Sequence, residues 1–379
     1  MNLAAPSRGT TAPGSPAGNE LVVSGWSVTS PYGLGAGAFA DGVRGGREAV
    51  HVAEDGADLG PYERAGRIPG FDIRAVLGRK GTRAMDRATA IAVATAGMLL
   101  EEAGPGLSQD SPEDIGMVLG TGHGSVQSIM DFTRDSLTGE KPFHVDPAAF
   151  PNTVMNRAAG QSAIWHTLRG PNTTVAGGAV TGLLALNYAS RLLRQGHCEA
   201  VLCGAVEEFS TERAWLEYRA RTGTGKGQPA GPLGEGCALF LLEPAQRAAA
   251  HGRTSLATLL GSRFLAFQDP ENADRAVLRS VTEALKEAEV APDGVGLLVP
   301  SDSGGHLGAR EDAALAEVFG ESRPPRLRMR RLVGNASAAS ASLQLAAAVA
   351  VPEPGTPVLV TSVDPDGQAG AMVLRTGTP

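Results

Sequence analysis

Residues 170–183 read Gly-Pro-Asn-Thr-Thr-Val-Ala-Gly-Gly-Ala-Val-Thr-Gly-Leu. A strand-prone segment runs into a turn of small residues, and the turn opens directly into an apolar helix. A side chain at the apex of such an elbow sits on the first turn of the helix. There the positive end of the helix dipole and N–H groups without intrahelical partners stabilise a thiolate or an oxyanion. The apex here is Ala179, which has no nucleophilic atom. The chain has the frame for covalent catalysis without the attacking group.

The helix after the elbow is the best-defined element of the sequence. Leu183, Leu184, Leu186, Leu192 and Leu193 populate one broad face, Arg191 and Arg194 lie near its end, and Gly196 stands just beyond. Strands are expected over Glu20–Val28, Ile115–Gly120, Ala200–Val206 and Gly236–Leu242, with helices over Arg83–Gly104 and Thr153–Leu168. The Gly- and Pro-rich stretch Thr222–Glu235 reads as a loop.

From Arg253 the pattern starts again in shorter form. Strands are expected over Thr254–Phe267, Gly294–Pro300, Pro357–Ser362 and Gly370–Arg375, and helices over Ala273–Ala288, Ala309–Phe319 and Ser337–Ala350. Alternating strands and helices predict an α/β fold with a parallel-rich sheet layered by helices. The chain divides into a leader over residues 1–19, a first half over 20–252 and a second half over 253–379. Residues 1–19 are mostly Ala, Pro, Gly, Ser and Thr without an apolar signal-peptide core, so a disordered leader is expected.

With 379 residues, 42% hydrophobic and 19% charged, the chain has material for a large core. Its net charge of −7 offers no basic surplus to neutralise phosphates, which argues against nucleic acid as a partner. No apolar run reaches membrane-spanning length. Cys198, Cys203 and Cys237 fit neither a metal spacing nor a closed disulfide framework, and a reducing, cytoplasmic setting is expected. Gly120-Thr121-Gly122-His123-Gly124 is not a dinucleotide fingerprint, and Lys226 is followed by Gly227 rather than by the hydroxyl a phosphate-binding loop requires. No cofactor and no metal are expected.

Several stretches together resemble the β-ketoacyl synthases of the thiolase fold. They are Val23-Ser24-Gly25-Trp26 through Gly35, Pro151-Asn152-Thr153-Val154-Met155-Asn156 with Ala158-Ala159-Gly160-Gln161, the elbow itself, and Leu202-Cys203-Gly204-Ala205-Val206-Glu207-Glu208. Their order and spacing cover nearly the whole chain from Val22 onward. The resemblance implies a pseudo-duplicated, layered α/β/α/β/α architecture.

Catalytic members of that family use a Cys that attacks an acyl thioester and two His residues that assist malonyl decarboxylation. The resemblance places the Cys position on Ala179. It places the first His on Pro300, counted back from Phe319-Gly320 through Glu311, and the second on Asn335, with Arg330 where a Lys is usual. Pro300 transfers no proton, and Asn335 is no general acid or base. The loop before Gly234-Glu235-Gly236 lacks the expected Pro-Phe-Asp run, and the Phe-Gly-rich turn near the C-terminus has become Asp364-Pro365-Asp366-Gly367-Gln368. Departures cluster where the chemistry would be. The combination is similar to chain-length factors of type II polyketide synthases, inactive relatives that pair with an active ketosynthase. Many of those carry Gln at the Cys position, where this chain carries Ala.

The resemblance implies a heterodimer with a catalytic ketosynthase subunit, an acyl carrier protein as second partner, and a tunnel at the subunit interface. The tunnel and interface residues it implies are Ser125, Ile129, Phe132, Ala148, Ala149 and Phe150. Ile129 and Phe132 share a helix face, which fits a tunnel floor and an ordinary core equally. His306, Thr181 and Ser301 are read as structural, since no nucleophile and base accompany them. Two rivals stand beside the leading reading. One is a residual malonyl-thioester decarboxylase. The other is a homodimeric carrier-protein scaffold, with the basic run Arg326, Arg328, Arg330 and Arg331 meeting an acidic carrier.

Overall fold

The computed structural model describes residues 20–53, 56–104, 107, 112–222 and 231–377. The leader expected over residues 1–19, and residues 223–230 of the expected loop with their Lys226 string, lie outside them.

Strand β1 (Leu21–Ser30), the short β2 (Gly33–Leu34) and helix α1 (Ala36–Arg44) open the chain. The two-residue β3 (Ala65–Gly66), α2 (Ile73–Leu77), α3 (Arg87–Glu102), β4 (Ile115–Gly120), α4 (Val126–Thr138) and α5 (Arg157–His166) follow. The elbow joins β5 (Asn172–Val175) to α6 (Thr181–Arg194), and β6 (Ala200–Glu207), α7 (Thr211–Thr222), β7 (Leu233–Gly234), β8 (Gly236–Pro244) and α8 (Ala245–Ala250) come next. The remainder is β9 (Ala257–Ala266), α9 (Ala273–Glu287), β10 (Leu297–Val299), α10 (Gly305–Phe319), α11 (Met329–Val333), α12 (Ser340–Ala350) and the hairpin β11 (Pro357–Asp364) and β12 (Gln368–Thr376).

The ten-stranded sheet runs β10-β11-β12-β9-β1-β8-β6-β4-β5, with β2 on β1. Its two parts obey one rule. In the first, β4 is parallel to β6, which is antiparallel to β8, which is antiparallel to β1. In the second, β10 is parallel to β11, which is antiparallel to β12, which is antiparallel to β9. The parts join where Val22 and Val23 of β1 meet Thr258 and Ala257 of β9. The duplication expected from the sequence is present, and β5 is an addition to the first part. The sheet is mixed rather than parallel-rich, because β11 and β12 are joined by a tight turn, which permits only antiparallel pairing.

Alternation along the strands sorts the core into layers. Ile115, Met117 and Leu119 of β4 and Leu239 and Leu241 of β8 face α3 through Ile91 and Leu99. Val118, Cys203 and Phe240 point the other way, onto Leu183 and Leu186 of α6 and Leu343 and Leu345 of α12. Val358, Val360, Met372 and Leu374 close this central layer from the second part of the sheet. Leu359 and Val373 turn outward to Val277, Val281 and Leu285 of α9 and Leu315 of α10. The result is helix, sheet, central helix pair, sheet, helix. Within the central pair the backbones nearly touch: a Cβ on Gly182 would lie 2.4 Å from the Ser342 amide.

Element boundaries differ from expectation where caps decide them. α3 begins at Arg87 rather than Arg83, because the Asp86 side chain accepts the Thr89 N–H and sets the N-cap. α6 ends as expected, with Gly196 at φ +70° and the Gly196 and His197 N–H groups returning to Leu193 and Leu192. No helix among the described residues is long and apolar enough to cross a membrane.

Candidate functional site

The elbow follows from its small residues. β5 ends at Val175, and after Ala176 and Gly177 a single 3-10 turn, Gly178–Val180, feeds α6. Gly178 is left-handed at φ +55°, and an L side chain there would be strained. Thr181 braces the turn from within. Its Oγ1 accepts the Gly177 N–H at 2.9 Å and donates to the Gly178 carbonyl at 2.6 Å, which bears out its structural reading.

The apex is half-buried Ala179, and its N–H is not free as the sequence had suggested. It donates to Asp364 Oδ2 at 2.6 Å, and the Ala179 carbonyl accepts from Ser362 Oγ at 2.9 Å. Both partners end β11. The sequence marks the turn from Asp364 to Gln368 as altered, but it holds no local sign of this contact.

Pro300 is buried immediately after β10, whose Val299 pairs with Val360 of β11. The neighbouring Ser301 donates through Oγ to Glu311 Oε2 at 2.6 Å, and Ser301 N–H and Thr361 Oγ1 complete that carboxylate's partners. Burial pushes the Glu311 carboxyl above its ordinary range, and the donors from Ser301 and Thr361 pull it back in part. Gln344 of α12 ties β10 to β11, its Nε2 donating to the Val299 and Thr361 carbonyls at 3.0 Å each.

Asn335 follows the left-handed Gly334 at φ +82°. Its Oδ1 accepts the Ser337 N–H at 3.1 Å, and its backbone pairs with Pro232 and Gly234. The Asn335 carbonyl also accepts from Arg213 Nη2 at 3.1 Å. Arg213 is fully buried and donates further to the carbonyls of Glu208 and Gly234 and to Glu217. Nothing in the pattern of α7 marked Arg213. Thus Ala179 and Pro300 both lie against the C-terminal end of β11, and the turn after Asn335 contacts the elbow turn.

Two adjacent carboxylates close β6. Glu207 accepts the Gly122 N–H at 3.0 Å, and burial pushes it up to about 7 against the pull of Arg213. Glu208 accepts Ser125 Oγ at 3.0 Å and the Ala88 N–H at 3.1 Å, and burial, with Asp86 nearby, pushes it up to about 8. Glu208 forms one wall of a cleft of about 310 Å³ together with Arg67, Arg87, Ser125 and Gln127.

The residues expected at a tunnel divide between two environments. Ser125 is buried and caps α4 while holding Glu208. Ile129 and Phe132 are half-buried on α4, and the Phe132 ring lies 5.9 Å from that of Phe150, which is 56% exposed. Ala148 is exposed and Ala149 half-buried in the turn before Phe150. Of the basic run, Arg326 pairs with Asp312 and Arg328 with Asp302. His306 lies at the surface against Glu271, 3.1 Å away.

Residues 19–248 match the family model described as the N-terminal domain of β-ketoacyl synthase. The chain belongs to the β-ketoacyl synthase family. Among solved structures it is similar to the ishigamide ketosynthase/chain length factor, at 40% identity and a TM-score of 0.86 over 95% of this chain and all of that one. It is 28% identical to the tetracenomycin polyketide synthase ketoacyl synthase alpha subunit of Streptomyces glaucescens over 92% of this chain and 88% of that one. It is 25% identical to 3-oxoacyl-[acyl-carrier-protein] synthase 2 of Vibrio harveyi over 64% of this chain, a match that spans 62% of the relative's length. A type II polyketide ketosynthase in complex with its acyl-carrier protein shares the fold, with a TM-score of 0.79 at 18% identity.

Proposed function

We propose that this chain is the non-catalytic partner of an active ketosynthase in a type II polyketide synthase, and that it shapes the acyl-chain tunnel between them. The observation that carries this reading is an elbow with an alanine apex and a spoken-for N–H. A ketosynthase-family frame without a nucleophile, with Pro300 and Asn335 at the positions assigned to the two histidines, has no route to an acyl-enzyme. The likeness to the ishigamide ketosynthase/chain length factor supports a place in polyketide assembly. Pairing is supported by the outer strand β5, whose free edge carries no strand among the described residues. On α5, which packs against β5, Ile164 is 74% exposed. The tunnel residues are Ser125, Ile129, Phe132, Ala148, Ala149 and Phe150, with Phe132 and Phe150 as its aromatic floor. The two halves meet between residues 252 and 253, in the turn from α8 to β9.

A residual decarboxylase is disfavoured, because enolate stabilisation would need an elbow donor that Asp364 already holds. Carrier-protein docking through the basic run is weakened by the pairing of Arg326 and Arg328. The deciding experiment is co-expression with a candidate ketosynthase, followed by size-exclusion chromatography and a condensation assay with acyl carrier protein. Co-elution is expected, along with product lengths that depend on this chain. Separate elution with unchanged products would overturn the proposal.

A further inference from the structure

The elbow's oxyanion donor is satisfied by a group of the protein itself. Asp364 ends β11 at only 7% exposure, with one oxygen on the Ala179 N–H at 2.6 Å and the other on the Asp366 N–H at 2.8 Å. The carboxylate lies flat against the bare Cα of Gly178, where a Cβ would meet Oδ2 at 2.0 Å. Ser362 holds the opposite side of the same residue through the Ala179 carbonyl. Residue 179 is therefore clamped at both its N–H and its C=O by one strand that lies 183 and 185 residues further along the chain.

We propose that Asp364 is an internal anion that occupies the elbow's oxyanion donor and closes the site to substrate anions. The inference rests on the non-catalytic reading above and deepens it. A tetrahedral oxyanion, a malonyl carboxylate or a thiolate on residue 179 would seek the same N–H and would sit beside a fixed negative charge. Loss of the nucleophile is thus accompanied by a second barrier that no change at residue 179 removes. A backbone N–H left in a partly buried turn without an acceptor is itself unfavourable, so the carboxylate also stabilises the joint between the two parts of the sheet.

The test uses the full chain carrying Ala179→Cys, alone and combined with Asp364→Asn. Modification at residue 179 by iodoacetamide is followed by mass spectrometry across a range of pH. Background is low, because burial pushes the Cys198 thiol up to about 11 and the Cys237 thiol up to about 12 and also raises that of Cys203. The single variant is expected to titrate at or above the ordinary thiol value of about 8.5. The double variant should titrate at least about one pH unit lower and react roughly tenfold faster at pH 7. Coincident profiles, or a depressed midpoint in the single variant, would overturn the proposal. A readout free of substitution is amide hydrogen exchange at Ala179 in the unaltered chain. Slowed exchange is expected, and exchange at the rate of an unprotected amide would equally refute the contact. Neither measurement involves a partner subunit, so failure to pair with a ketosynthase would count against the proposed function alone.

Discussion

Glu208 keeps a carboxyl group out of water at the end of β6, and its consequences for stability run opposite to those of a salt-bridged acid. Burial, with the Asp86 charge added, raises its folded value from 4.5 to about 8, while Ser125, Gln127 and Ala88 donors only partly oppose this. The folded chain therefore binds more protons than the unfolded chain between these values. The contribution of Glu208 to stability is full below about 4.5 and is lost as pH rises through about 8. Glu207, raised to about 7, acts in the same sense. Urea denaturation should show the chain losing on the order of 1 to 3 kcal/mol between pH 6 and pH 9, and Glu208→Gln should flatten that slope. An unchanged slope in the variant would place the titration elsewhere. At the apex, Ala179→Cys alone is expected to yield no condensation product above background with acyl and malonyl carrier protein. Pro300 and Asn335 remain, and Asp364 still holds the local N–H. Turnover by that variant would show the two histidine positions to be wrongly assigned. The strings around Ala179, Pro300 and Asn335 were legible in the sequence because each is a recognisable local pattern. The Asp364 contact was not, since its partners are 185 residues apart and meet only once the hairpin has formed.

Helix α4 and the turn after it carry the segment expected to face a tunnel. Phe132 and Phe150 come together as a tilted pair with ring centroids 5.9 Å apart, and Leu137 and Phe143 of the same segment are 79% and 71% exposed. Exposed aromatics stabilise an isolated chain little, so Phe150→Ala should shift its unfolding free energy by no more than about 0.5 kcal/mol. In a ketosynthase complex the same change should weaken co-elution or alter the distribution of product lengths. Normal pairing with an unaltered product profile would remove Phe150 from the tunnel. Elements with regular alternation or a clear apolar face, such as β4, α6 and α9, could be read from the sequence nearly to the residue. Helix α7 could not. Its sequence, Thr-Glu-Arg-Ala-Trp-Leu-Glu-Tyr-Arg-Ala-Arg-Thr, offers no apolar face, because the residue it buries most completely beside Ala214 is a cation.

That cation, Arg213, is a tie at the scale of the whole molecule. The duplication was legible because strands and helices alternate twice along the chain, but the spatial order of β4, β6, β8 and β1 against β10, β11, β12 and β9 was not. What binds the loops above the sheet into one body depends on long-range polar contacts that no local pattern encodes. The Arg213 guanidinium joins the carbonyls of Glu208, Gly234 and Asn335, the last 122 residues away, and its Nε–H reaches Glu217 at 2.9 Å. A permanently charged group with no solvent exposure persists only where its donors are matched, and here backbone acceptors supply most of the match. Arg213→Met keeps the length of the side chain and strips three buried carbonyls of a donor. Each unpaired acceptor costs about 1–3 kcal/mol, so the variant should lose on the order of 3 kcal/mol or more in urea unfolding. Glu217→Gln removes only the ionic partner and leaves the carbonyl contacts in place, so its loss should be smaller. If the two variants lost equal stability, the ion pair rather than the carbonyl tie would be what holds α7 to β7 and to the segment around Asn335.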